Sequence, residues 1–174
     1  MSELNFSDKE QILRFAMQKE KDAMEYYAEA AKNSTQPLGR NMFLSLVEDE
    51  KKHYEWLEAL LKSTVTPEAP VVPGDVKERF EGLFEESRRE SRTPAKGAAS
   101  DLEALDRAEE RERLAYRYYK EAAARTPNAA VKQLCERLAA FENEHVQLIT
   151  NARLYLTDPR DWFTWEEGPS LDGG

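Results

Sequence analysis

Residues 9–53 align with residues 101–145 without a gap, and 12 of the 45 positions are identical. The identities include Leu13/Leu105, Ala16/Ala108, Glu20/Glu112, Ala23/Ala115, Tyr26/Tyr118, Tyr27/Tyr119, Leu46/Leu138, Glu50/Glu142 and His53/His145. A chain duplicated in this way has to bury one half against a copy of itself. If each half is a helical hairpin, the two halves meet about an approximate two-fold axis. Residues that face this axis then face their own counterparts.

The patterning supports helices. Ile12, Phe15, Ala16, Ala23, Tyr26, Tyr27 and Ala30 recur three, four or seven apart, the stripe of an amphipathic helix. Ser7 and Glu10 form the pattern of a capping box at its start, and Ser100 with Glu103 forms a second. Helices are expected from Ser7 to Lys32, Leu38 to Lys62, Ser100 to Arg125 and Ala129 to Leu156. Met42, Phe43, Leu46, Leu57, Leu60 and Leu61 should lie on the buried side of the second. Residues 63–99 hold Pro67, Pro70, Pro73, Pro94 and Gly97 and cannot be one continuous helix. A short amphipathic piece (Val76, Phe80, Leu83, Phe84) lies inside this stretch. Such a long crossover lets the third long helix begin at the end of the bundle opposite to where the second stopped. The expected fold is all-α, a four-helix bundle over residues 1–156 made of two duplicated hairpins, followed by an aromatic tail over 157–174.

Composition narrows the partners. With 34 acidic and 25 basic residues the chain carries a formal charge of −9, which disfavours nucleic acid and anionic membranes as partners. No run of apolar residues reaches transmembrane length, the first ten residues lack the apolar core of a secretory signal, and the one cysteine, Cys135, cannot make an internal disulfide. A cytoplasmic protein is expected.

The chemistry lies in the repeat. The chain has two histidines, in Glu50-Lys-Lys-His53 and Glu142-Asn-Glu-His145. On a helix, positions i and i+3 share a face, so each motif projects a carboxylate and an imidazole together. Glu20 and Glu112 each lie thirty residues upstream of the motif glutamate. Four carboxylates and two imidazoles inside a bundle are costly to bury unpaired, and two divalent cations would neutralise the carboxylates and use every ligand. This mixture of donors suits iron, with manganese or a mixed pair as alternatives, better than zinc.

These residues resemble the ferritin-like di-iron carboxylate proteins, and within them the rubrerythrin branch, over roughly Ser7 to Leu156. The resemblance implies a ferritin-like bundle holding two iron ions. Glu20 and His53 would serve one, Glu112 and His145 the other, with Glu50 and Glu142 bridging. It implies an oxidoreductase that reduces hydrogen peroxide or dioxygen. A ferroxidase or iron-handling protein, and a non-enzymatic metal-binding protein, are the alternatives. Rubrerythrin proper has a rubredoxin domain with two Cys-x-x-Cys pairs, whereas this sequence has one cysteine. A separate electron donor such as a rubredoxin is therefore expected, and a homodimer is the expected assembly. Rubrerythrin also has a further carboxylate one turn after its third-helix glutamate, where this chain has Ala115. Glu109, one turn before Glu112, could substitute or could be a solvated surface residue.

Tyr27 and Tyr119 follow Glu20 and Glu112 by seven residues. As buried phenols they could hydrogen-bond a ligand carboxylate from a facing helix, supply electrons singly, or simply fill the core. Tyr26 and Tyr118 are expected to serve packing or an interface. Cys135 aligns with Phe43 and should be a small buried apolar residue. Trp162, Phe163 and Trp165 are expected to cap the bundle or meet another subunit.

Overall fold

Five helices carry the chain in a computed structural model that describes residues 8–62, 76–90 and 99–158. They are α1 (Lys9–Asn33), α2 (Pro37–Lys62), α3 (Val76–Glu90), α4 (Ala99–Arg125) and α5 (Ala129–Thr157). The fold is an all-α, ferritin-like bundle. α1 packs closely along α2 and α4 along α5, while the two hairpins approach each other less closely. The short amphipathic piece is α3, which lies against α2 and α5. The expected aromatic tail lies outside the described residues.

The start of α1 differs from the capping-box expectation. Asp8 is the N-cap, its carboxylate accepting from the backbone N–H groups of Glu10 (3.0 Å) and Gln11 (3.2 Å), and Ser7 lies outside the described residues. Glu10 spends its carboxylate on Arg14 instead. α4 likewise begins at Ala99, which places Ser100 within the first turn. Its neighbour Asp101 is buried and reaches across to the connection between α1 and α2, accepting from the Thr35 backbone N–H at 2.9 Å and from the Thr35 hydroxyl. A buried bond between elements outcompetes a local cap because it satisfies two groups away from water. Tyr26 adds a second tie at the same end, donating to the Ala104 carbonyl at 2.8 Å. Asn128 caps α5, accepting from the N–H groups of Ala130 and Val131.

The core divides into two apolar clusters. One gathers Tyr27, Met42, Phe43, Leu46, Leu105 and Ile149 at the end where α2 and α4 begin. The other gathers Ile12, Leu13, Leu57, Val131, Cys135 and Leu138 at the end where α2 and α4 finish. α2 therefore ends at the pole opposite to where α4 begins, and the crossover traverses the length of the bundle. α3 covers the first cluster, with Phe80 and Phe84 buried and Phe84 edge-on to Tyr155 at 5.0 Å. The buried side of α2 is as expected except that Leu61 is only half-buried. Cys135 is buried, and burial pushes its thiol up to about 11.

Asp101→Ala should lower unfolding free energy by about 2 kcal/mol, since a charge-assisted bond is lost and the Thr35 N–H is left unmatched. Glu103→Ala, the other half of the expected capping box, should change it by less than about 0.5 kcal/mol, as surface substitutions do. Urea unfolding of both variants checks the pair; equal losses would restore the local cap.

Candidate metal centre

Between the two apolar clusters lies a polar belt. In α1, Glu20 falls between Ala16 and Ala23; in α2, Glu50 and His53 fall between Leu46 and Trp56. α4 and α5 repeat this with Glu112 and with Glu142 and His145. All six residues are at most 5% exposed. Helical periodicity puts them there, because each lies on the buried stripe one or two turns from apolar neighbours on both sides.

Glu50 stands at the middle. Its Oε2 is 3.1 Å from Nδ1 of His53, and its Oε1 is 3.2 Å from Nδ1 of His145. Glu20 approaches His53 at 3.9 Å, while Glu112 and Glu142 approach His145 at 3.8 and 4.0 Å. The imidazole rings are 5.4 Å apart. Ligand atoms of Glu50, His53 and His145 lie within 4.8 Å of one another, as do those of Glu50, Glu112, Glu142 and His145. Glu50 belongs to both groups. Glu142 belongs to one, and Glu20 stands beside the other.

Electrostatics follow from packing four carboxylates together. Burial, then repulsion from Glu50, raises Glu20 well above the usual carboxylate range, and burial and Glu112 do the same to Glu142. Burial also pushes on Glu50, but the charge and hydrogen bonding of His145 hold it well below that range. In Glu112 burial is outweighed by hydrogen bonds from Glu142 and His145, which bring it down. Burial disfavours the His145 imidazolium, yet Glu50 and Glu112 outweigh it and raise that imidazole well above its ordinary value. The belt thus favours protons on Glu20, Glu142 and His145. Among the described residues neither ring nitrogen of His145 makes a well-aligned hydrogen bond, although four carboxylates lie 3.2–4.0 Å from it. A donor set of carboxylates with an unsatisfied imidazole fits cations.

The family profile for rubrerythrin matches residues 11–152, which spans α1 to α5. The chain belongs to the rubrerythrin family. Members of that family typically bind iron. No match emerges among curated proteins or among solved structures. Among the described residues, no helix of this rubrerythrin-family chain is long and apolar enough to cross a membrane.

Other residues singled out by the sequence fall as follows. Tyr27 donates to Glu112 from the facing hairpin. Its counterpart Tyr119 is fully buried, and its hydroxyl has no hydrogen-bond partner among the described residues. Burial, then the charges of Glu20, Glu142 and Glu50, raises that phenol well above its ordinary value. Glu109 stands apart from the belt, paired with Arg113 at 2.8 Å and Arg153 at 3.1 Å. Tyr26 packs beneath the Arg111 guanidinium at 4.9 Å, and Tyr118 lies against Phe15 at 4.6 Å.

Two residues escaped the repeat-based reading. Asp49 is buried, and its Oδ2 lies 3.9 Å from Nε2 of His145, on the side away from the other carboxylates. Arg79 of α3 donates to Asp49 and reaches Ser45 at 3.1 Å. The repeat counterpart of Asp49 is Phe141, which stacks on His53 with ring centroids 4.1 Å apart. A search for duplicated residues passes over both. The signal available was an acidic residue on the stripe directly before Glu50, and an arginine four residues before the apolar Leu83.

Without metal, Glu20, Glu142 and His145 bind protons more tightly folded than unfolded. Each contributes stability at low pH that is lost as pH rises through its folded value. Glu50 and Glu112 lose their contribution only below the ordinary carboxylate range. The melting temperature of the metal-free chain should therefore fall between about pH 5 and about pH 8. Added ferrous ion should remove that fall. Calorimetry across the interval checks it, and a rise in the metal-free protein would overturn this proton arrangement.

Proposed function

We propose that this chain is a di-iron oxidoreductase that reduces hydrogen peroxide or dioxygen with electrons from a separate donor protein. The observation that carries the reading is Glu50, buried and within 3.2 Å of an imidazole from each half of the duplication. With Glu20 beside His53 and Glu112 and Glu142 beside His145, the belt offers donors for two ions that share a carboxylate. Bound iron supplies the redox equivalents, two electrons from the pair.

The residues of the chain set the conditions. Two apolar clusters close the belt above and below and keep its six residues buried. Tyr27 holds Glu112 from the opposite hairpin and fixes one carboxylate oxygen. Asp49, held by Arg79, lies 3.9 Å from the outer nitrogen of His145, and its charge favours the tautomer with the proton on that nitrogen and Nδ1 free to ligate. His53 stacks on the apolar face of Phe141. The two halves are thus unequal, and the His145 half is the better anchored. Cation binding would release the carboxyl protons of Glu20 and Glu142 and leave both as carboxylates able to ligate the ions.

Anaerobic ferrous loading should give about two iron atoms per chain, and Glu50→Ala with Glu142→Ala should lose them. Stopped-flow mixing of the loaded protein should then show oxidation by peroxide faster than by oxygen. The reverse order would favour a ferroxidase, and inertness to both would favour a structural metal site. A wild type that holds no iron would sink the di-iron reading outright.

Arg79→Leu should weaken one of the two metal sites by roughly tenfold, the typical cost of losing an outer partner of a ligating histidine. The other should be unchanged. Chelator competition resolves the two affinities; equal weakening would remove the role of α3.

A further inference from the structure

We infer that the groove between α1 and α4 is a binding site for an amphipathic monocarboxylic acid, whose apolar end lies against the metal-binding belt. A cavity of about 570 Å³ opens between these helices and reaches down to Glu20, Glu50, Glu112 and Glu142. That volume falls in the range of small-molecule sites and far exceeds what peroxide or oxygen requires.

The walls are apolar. Phe15 and Ala23 line the α1 side, Leu114, Ala115 and Tyr118 the α4 side. Leu114 is 53% exposed at the mouth, an unusual position for a leucine in so highly charged a helix. The small Ala115 side chain, one turn beyond Glu112, leaves the inner wall open. At the floor, Tyr119 lines the cavity, its buried hydroxyl without a hydrogen-bond partner among the described residues.

The mouth selects charge. Lys19, Arg111 and Arg117 stand around it, and among the described residues none of the three makes an ion pair. Lys19 and Arg111 rest on the Phe15 and Tyr26 rings instead. The acids at the same rim are engaged elsewhere, Asp22 with Gln18 and Glu121 with Arg125. Elsewhere on this acidic chain the exposed arginines of α1 and α4 pair with glutamates four residues away, as Arg14, Arg113 and Arg125 do. Three unpaired cations over an apolar shaft that ends in carboxylates fit a ligand with its anionic head outward and its hydrocarbon inward.

Binding of the acid stands on the cavity alone; its fate beside the metals rests on the proposed redox function. The probe is sodium octanoate, titrated calorimetrically into the full chain, metal-free and after anaerobic ferrous loading, with 1-octanol as its neutral twin. Octanoate should bind with a Kd below about 1 mM, and octanol about tenfold or more weaker, because a charge-assisted contact is missing. Arg111→Glu with Arg117→Glu, a change confined to exposed positions, should weaken octanoate about tenfold or more. Ala115→Phe should abolish its binding by filling the inner wall. Octanoate binding in a chain that fails to load iron would support this site while removing the redox reading. No octanoate binding in a chain that loads iron normally would overturn the site and leave that reading standing. Binding that needs iron and ignores the rim variant would place the acid on the metals and overturn the assignment. So would light scattering that shows a dimer dissociated by the rim variant, because the groove would then be a subunit contact.

Discussion

Four carboxylates and two imidazoles buried in one belt are the constraint on which the rest of this structure depends. Alone, such a set would cost many kcal/mol to remove from water, and it persists only if the groups neutralise one another or a cation does so. The metal-free chain meets the constraint with protons, placed where repulsion between paired glutamates makes them most costly to release. That solution is conditional on pH, whereas cations satisfy the same carboxylates without it. The apolar clusters at the two poles hold the belt in register, so the ligands are positioned by packing rather than by their own attraction.

The duplication makes this economical, and the departures from it are informative. Glu20/Glu112, Glu50/Glu142 and His53/His145 face one another across the axis as the repeat demands. Behind the imidazoles the symmetry fails. His53 leans on Phe141, while His145 faces Asp49, held by Arg79. The tyrosines diverge too, Tyr27 bonding Glu112 and Tyr119 finding no partner among the described residues. The two halves of the belt thus differ in what stands behind each imidazole and in what each tyrosine meets, while the cavity between α1 and α4 reaches carboxylates of both.

The crossover gains a role from this. A connection between poles needs only length, yet α3 lies over the bundle, buries Phe80 and Phe84, and delivers Arg79 to Asp49. It ties an element outside the repeat to the interior of the belt. α3 would thus influence the metal site through one ion pair.

The sequence by itself determined the helices, their hairpin pairing, the polar crossover and the six belt residues. Each of these is a matter of period: apolar residues three and four apart define a stripe, and the 92-residue offset superposes two stripes. Local caps were less legible, since Asp8 replaced Ser7 and Asp101 turned from its own helix to Thr35. Tertiary structure alone decided what stands behind each histidine, which tyrosine finds a carboxylate, and where a cavity reaches the belt. Those features depend on contacts between residues far apart in the chain, chosen by shape and by the cost of an unpaired buried group, and neither leaves a periodic trace in the sequence.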